Sequence, residues 1–391
     1  MYTKYLTNGQ QSEQNVSTED LQHLLVMRPD TVGDVIMLTP ALRTLKEVLP
    51  HAEITLLTSS RGSQAAPLLP WVDDVMVYPP LWREITESSL LNLRKDMTFI
   101  EQLREQRFSA AMIFTGLAES PWPSAYACYL AGIPQRVGFA NNMNSSALSH
   151  YLLPPADDFH QVDRNLNLLE AIGIYNAHNQ MEISISEEIE KRANELLSEN
   201  GIQPGTPYIV LSPEASLPDH CYNPHYFAAA AHILSAQTEL QMLIVGNSNE
   251  LEAIQPLLQV ANENLYGNVH SLVGKTTLPE LAALIRGARL AITNRSAIMH
   301  IADVFKRPMV VLSPGTDPAN SWSPRSASAR VLSRLASCLL CSESDCQHGM
   351  KCLEIRPEEL AIAALEMLGE QTESSAIYHV LQEYRSEMSR I

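Results

Sequence analysis

The sequence predicts an α/β chain built as two Rossmann-like domains facing a cleft. Three observations carry this. A strand, loop, helix and strand follow one another near the start; a second series of alternating strands and helices fills the other half; and 391 residues are enough for two ordinary domains. The predicted division is a flexible tail over 1-20, a first domain over 21-180, a second over 181-368 and a closing helical segment over 369-391.

The first domain is organised around its opening unit. Leu24-Leu25-Val26-Met27 is an apolar run with strand character, and Arg28 to Asp34 is a loop. Val35, Leu38, Leu42, Leu45 and Leu49 then recur at steps of three and four, which places them on one face of a helix. Pro50 ends that helix, and Ile54 to Leu57 returns to strand. Such a βαβ unit implies a parallel sheet with a right-handed crossover, and ligands of such sheets sit beyond the carboxyl ends of the strands. The Arg28–Asp34 loop lies there. It holds one glycine, Gly33, where a dinucleotide site would need G-x-G-x-x-G, so that route is excluded. The ordinary role for Asp34 is a helix N-cap. A helix N-terminus also keeps a carboxylate ionised, which suits a base, and the two roles are compatible.

The remaining elements follow in order. Val75 to Tyr78 is a strand, and Pro79-Pro80 with Trp82 begin a long connection. Leu91 to Gln106 is a polar helix, Ala110 to Phe114 a strand, and Ala125 to Ala131 a short helix. Asn141 to Ser149 is rich in turn formers and is predicted to be a mobile loop. His160 to Gly173 is a helix stopped by glycine, and Ile174 to Glu188 crosses into the second domain. There the predicted strands are Tyr208 to Leu211, Gln241 to Val245, Ala291 to Thr293 and Met309 to Leu312. Between them run helices at Tyr226 to Ser235, Glu250 to Ala261, Leu278 to Gly287 and Ala297 to Phe305, with Glu358 to Leu368 and Ala376 to Met388 closing the chain.

Composition narrows the function. Hydrophobic residues make up 45% and charged residues 18%, the balance of a globular chain. A net charge of −17 argues against general nucleic-acid binding and against broad adhesion to an anionic membrane. No run of eighteen apolar residues exists, and Met1 to Asp20 is polar without a signal core, so a cytoplasmic location is expected, at most at the inner face of the membrane. Arg28, Arg43, Lys46 and Arg61 could form a local basic patch, but read more simply as solvated surface. Cys338, Cys341, Cys346 and Cys352, with His348 nearby, have spacings compatible with a zinc knot, with disulfides, or with a compact thiol-lined loop; reduced thiols and no metal are the expectation in the cytosol.

The stretch Arg28-Pro-Asp-Thr-Val-Gly-Asp-Val-Ile-Met-Leu-Thr-Pro-Ala-Leu-Arg resembles the opening motif of glycosyltransferase family 9, the ADP-heptose:lipopolysaccharide heptosyltransferases. Arg136-Val-Gly-Phe139 and the His160–Gly173 segment resemble the family too. The resemblance implies the GT-B architecture, with the last helix packing back toward the first domain. It implies Asp34 as catalytic base and an acceptor side drawn from Arg28, Thr31, Arg61, His160 and Arg164. On the donor side it implies Glu250, with Glu252 as the near alternative, for a ribose hydroxyl after the Gly246 turn. Thr276 would meet the adenine edge, while Thr277 could instead be an N-cap boxed by Glu280.

Thr293-Asn294-Arg295-Ser296-Ala297-Ile298-Met299-His300-Ile301-Ala302 resembles the family's Thr-Asn-Asp-Ser-Gly-Pro-Met-His-Leu-Ala, a helix N-terminus set against the donor pyrophosphate. Ser296 and His300 match it; Arg295 replaces an Asp and Ala297 a Gly. In Ser212-Pro-Glu-Ala-Ser216 and the residues after it, Ser216 keeps the donor-side serine. Glu214 stands where the family has Gly, His220 where it has a catalytic Lys, and Tyr222 where it has Trp. Pro314-Gly-Thr-Asp-Pro318 matches a further family loop. The implied reaction is inverting transfer of a heptose or related sugar from a nucleotide sugar, ADP-heptose foremost, to a lipid-linked or core oligosaccharide, with no cofactor. Arg295, Ala297, Glu214 and His220 leave a second reading open, a protein that binds nucleotide or sugar without transfer.

Overall fold

Two parallel sheets form, because in each half the apolar runs are short, continuous and separated by helices, the pattern of strands buried on both faces. The computed structural model describes residues 21–78, 93–117, 119–140, 147–156, 158–175, 178–215, 221–314, 321–334, 351–370, 376–377, 379–382 and 384, with Glu250 described in its backbone alone. The chain clusters into two units. One comprises Met1–Asp30, Leu38–Ser63 and Trp71–Asn179; the other comprises Thr31–Met37, Gln64–Pro70 and Gln180–Ile391.

In the first unit the strands are β1 (His23–Arg28), β2 (Glu53–Thr58), β3 (Asp74–Val77), β4 (Ala110–Ile113), β5 (Gln135–Phe139) and β6 (His150–Leu152). They lie in the order β3-β2-β1-β4-β5-β6, every pair parallel. Central β1 pairs Leu24 with Ile54 on one side and with Ala110 on the other, and Leu24, Leu25 and Val26 are fully buried. Helices α3 (Leu93–Gln106), α4 (Trp122–Leu130) and α5 (Gln161–Glu170) belong to this unit. One core gathers Leu25, Met27, Phe99, Leu103, Phe108 and Ile113.

The second unit repeats the plan. Its strands are β7 (Tyr208–Ser212), β8 (Gln241–Ile244), β9 (Val269–Ser271), β10 (Leu290–Asn294), β11 (Met309–Leu312) and β12 (Ala329–Leu332), in the order β12-β11-β10-β7-β8-β9. Around them run α6 (Glu187–Glu199), α7 (Pro224–Gln237), α8 (Gln255–Glu263), α9 (Leu278–Gly287), α10 (Ala297–Val304) and α11 (Pro357–Leu368). Of the closing segment, Ile377, Leu381 and Tyr384 are buried in this second core, beside α7 residues such as Phe227 and Ile233. The resemblance had implied packing toward the first domain.

Four differences from the sequence-based elements have physical causes. The single helix expected after Asp34 is two, α1 (Val32–Met37) and α2 (Thr39–Val48). Pro40 sits in the first turn of α2 and lacks the N–H that would continue the first helix. The four basic residues are not one solvated patch: Arg28 is 1% exposed, Arg43 bonds Glu47 and Lys46 bonds Asp73. Helix α6 starts at the end of the predicted crossing and runs on through residues for which no element was predicted, although Ser186 caps it by accepting from the Ile189 N–H. Strands β6, β9 and β12 are three to four residues long, too short for alternation to show.

Candidate functional site

The loop after β1 turns at once into α1, and Asp34 is the third residue of that helix, not its cap. Its Oδ2 accepts the Thr31 backbone N–H at 3.1 Å and the Thr31 hydroxyl at 2.7 Å. This is the reciprocal half of a capping box, and it fixes the carboxylate on the first turn. Thr31, read as an acceptor residue, is therefore the partner that orients Asp34.

Thr31–Met37 belongs to the second unit, where α1 packs on α10. The approach is close enough that a side chain at position 33 would press on α10. A Cβ there would stand 3.0 Å from His300 Cδ2 and 3.6 Å from the Ala297 Cα. Ala297 and His300 thus form the floor under Gly33, and Asp34 is the next residue. Ser296 is the N-cap of α10, its hydroxyl accepting the Ile298 N–H at 3.3 Å and meeting the Thr293 hydroxyl at 3.1 Å. Arg295 precedes it, with its guanidinium 5.4 Å above the Trp322 ring. Burial pulls the Arg295 pKa down to about 10, and the charge of Asp34 works the other way. The structure so brings together Thr31, Asp34, Arg295, Ser296, Ala297 and His300, a carboxylate and a guanidinium beside one helix N-terminus.

The turn carrying these groups is anchored from below. Asn294 is fully buried, accepts the Tyr222 N–H at 3.0 Å and donates to the Pro213 carbonyl. Tyr222, at the position of the family's Trp, is 1% exposed and donates its hydroxyl to the Ile355 carbonyl at 2.8 Å. A second group collects beyond the carboxyl ends of β7, β8 and β9. Glu214 accepts from the Asn247 backbone N–H and, at 3.1 Å, from the Asn247 side chain. Its Oε1 lies 2.8 Å from where a Cβ on Gly246 would be, so a side chain there would displace the Glu214 carboxylate. Gly274 donates to the Gly246 carbonyl at 2.8 Å, which sets the Thr276 turn beside it, and Thr277 with Glu280 forms a full capping box.

Other predicted residues lie in the first unit. Arg28 pairs with Asp30 at 2.8 Å, both buried. Arg61 is exposed. His160 caps α5 through Nδ1, which accepts the Val162 N–H at 3.2 Å. Arg164 is 2% exposed, donates from Nε to the Thr115 carbonyl at 3.3 Å and lies 4.8 Å over the Phe139 ring. Ser216, His220, Cys338, Cys341, Cys346, His348 and the Gly315–Pro318 loop lie outside the described residues, as does the Glu250 side chain. Cys352 is buried. Trp322, Asn294 and the Glu214 contact were not found from sequence; Trp322 sits among serines and prolines, with no periodicity to place it.

A model of glycosyltransferase family 9 (heptosyltransferase) matches residues 97–351. The chain belongs to glycosyltransferase family 9. This glycosyltransferase is 24% identical over 358 residues to lipopolysaccharide heptosyltransferase 2 of Salmonella typhimurium, covering 89% of this chain and 99% of that one. Its fold is similar to a crystal structure of a family 9 glycosyltransferase from Veillonella parvula, with a TM-score of 0.72, 22% identity and coverage of 92% and 100%. It is also similar to the E. coli ADP-heptose lps heptosyltransferase II structure, with a TM-score of 0.68, 21% identity and coverage of 89% and 98%. The enzyme therefore has the two-domain α/β fold of the GT-B class.

Proposed function

We propose that this glycosyltransferase moves a heptose, or a closely related sugar, from ADP-heptose to a lipopolysaccharide-core or other glycan acceptor, with inversion. One observation carries the reading: α1 packs on α10 so that the Asp34 carboxylate, the Arg295 guanidinium and the α10 N-terminus share one neighbourhood. The Salmonella and E. coli relatives, named as heptosyltransferases, support the donor and acceptor classes.

In this reading Asp34 takes the proton from an acceptor hydroxyl. The oxygen attacks the anomeric carbon from the face opposite the diphosphate. The bond from that carbon to the phosphate oxygen breaks, and its electrons leave with the nucleoside diphosphate. The α10 N-terminus and Arg295 offset the charge that develops there, with no metal called for. His220, in its protonated form, would add a second cation, and Ser216, Glu250 and Thr276 would hold the nucleoside. Arg28, Thr31, Arg61, His160 and Arg164 would serve the acceptor side, Arg28 and Thr31 by fixing the loop that carries Asp34. A lipid-linked acceptor would bring the enzyme to the inner face of the membrane; no helix among the described residues is long and apolar enough to cross one.

The test is an assay of ADP release and product mass with ADP-heptose and heptose-deficient core acceptors. Turnover that Asp34→Asn abolishes is the expected result. Binding of nucleotide sugars by calorimetry, with no turnover on any acceptor, would overturn it in favour of a binding protein. Preference for a different sugar nucleotide would overturn the donor.

A further inference from the structure

In this chain the base candidate has a cationic neighbour whose place in the family's motif belongs to an acid. We propose that Arg295 is a positioning residue for Asp34, holding its carboxylate ionised beside the α10 N-terminus. The inference rests on the reading of Asp34 as the base.

The argument begins with backbone proximity. Gly33 stands so close to Ala297 that its missing Cβ would lie 3.6 Å from the Ala297 Cα. Arg295 is two residues before Ala297, so its backbone lies within a side chain's length of the first turn of α1. The guanidinium also lies over the Trp322 ring at 5.4 Å. The charge of Asp34 acts on Arg295, so the carboxylate and the guanidinium are within electrostatic reach of each other. Among the described residues, His300 is also set against α1, its ring facing Gly33. The Gln64–Pro70 strip of the same unit carries no charged side chain, and Arg28, upstream in the chain, is matched by Asp30 at 2.8 Å. Thr31 completes the arrangement from the same turn by donating to Asp34 Oδ2. One neighbour fixes the direction of the carboxylate and the other its charge.

The readout is the acidic limb of kcat/KM for the acceptor against pH, measured with wild type, Arg295→Lys, Arg295→Gln and Arg295→Asp. Loss of a neighbouring cation raises a carboxylate pKa, so the limb should move to higher pH by about one pH unit in Arg295→Gln. It should move further in Arg295→Asp, which adds a like charge, and stay near wild type in Arg295→Lys. The movement should persist with His300 replaced by Asn, since a shifting histidine would otherwise imitate it. Circular dichroism and melting confirm folding, and Arg295→Asp restores the family's own residue. A merely structural role would lower the rate at all pH values and leave the limb in place, which overturns the inference. Asp34→Asn separates the two readings. If it is inactive and the limb is immobile, the role of Arg295 falls alone; if it turns over like wild type, the base assignment falls and this inference with it.

Discussion

Numbered within each unit, the strands of both sheets run 3-2-1-4-5-6, yet the two units anchor the junction of strands 1 and 4 differently. In open parallel sheets that junction is where connections diverge and a crevice opens for ligand. In the first unit the Thr115 carbonyl beyond β4 is held by two side chains of α5, Gln161 Nε2 at 3.1 Å and Arg164 Nε at 3.3 Å. Its charges are internally matched, with Arg28 against Asp30. In the second unit the Asn294 side chain ties the end of β10 to Pro213 beyond β7 and to Tyr222. The next residue, Arg295, has a charge partner in α1, a piece of chain that arrives between β1 and β2. The same topology thus gives one junction locked by redundancy and one that depends on a few groups and receives Asp34 from outside its own sequence run.

The largest test of that contrast is chemical. Asp34→Asn keeps the shape of the first turn of α1 while removing a general base, and should lower kcat by about 10²–10⁴-fold. Replacing Arg164 by Lys in the redundant junction should cost far less, because Gln161 still serves the Thr115 carbonyl. Comparable losses in both variants would break the contrast.

Stability should show the same asymmetry. Asn294→Ala leaves the buried Tyr222 N–H and the buried Pro213 carbonyl without that partner, and should cost about 2–4 kcal/mol. Gln161→Ala should cost less, about 1–2 kcal/mol, since Arg164 remains on the same carbonyl while the bond to Asn165 Oδ1 is lost. Denaturant unfolding of the two variants gives both numbers. Gly33→Ala comes next. Its Cβ at 3.0 Å from the His300 ring must push α1 or the imidazole aside, for about 1–2 kcal/mol and a matching loss of transfer. Retention of full transfer in Gly33→Ala would show that the α1–α10 spacing does not matter to the chemistry.

The fold was legible to the extent that burial writes itself into short stretches. Leu24 to Met27, Ala110 to Phe114 and Met309 to Leu312 are strands because they are apolar on both faces, and they emerged nearly residue for residue. Edge strands such as β9 and β12 are half-exposed and brief, so nothing in their composition separates them from loop. The candidate site was legible as motif but not as geometry. Asp34 could be picked out, but its bond to Thr31 depends on α1 starting at Val32, ahead of the apolar spacing that first shows at Val35. Arg295 could be seen as a departure, but Trp322 is 27 residues away, and no local rule joins them. Glu214 at a glycine position looked like a defect; it fills the space that Gly246 leaves open.

The smallest expected effect is a difference in how acid weakens the two units. His270, on edge strand β9, has its pKa lowered from 6.5 by burial, since the charged ring is poorly hydrated there. The unfolded chain takes up a proton at this ring more readily than the folded one. Its contribution is therefore intact above about pH 6.5 and declines as pH falls through the lower folded value. In the first unit the titrating group is Asp73. Burial alone would raise its pKa, but hydrogen bonds from Lys46 and the Ile54 N–H, with the Lys46 charge, bring it below 3.8. That contribution is intact above about pH 4 and is lost only as pH falls through the still lower folded value. Acidification from pH 7 should thus loosen the edge of the second unit first. The melting temperature of His270→Gln should fall less than that of wild type between pH 7 and 5, and Asp73→Asn should differ from wild type in slope only below about pH 4. Parallel wild-type and His270→Gln curves from pH 7 to 5 would remove His270 as the source and leave the two units equal in their response to mild acid.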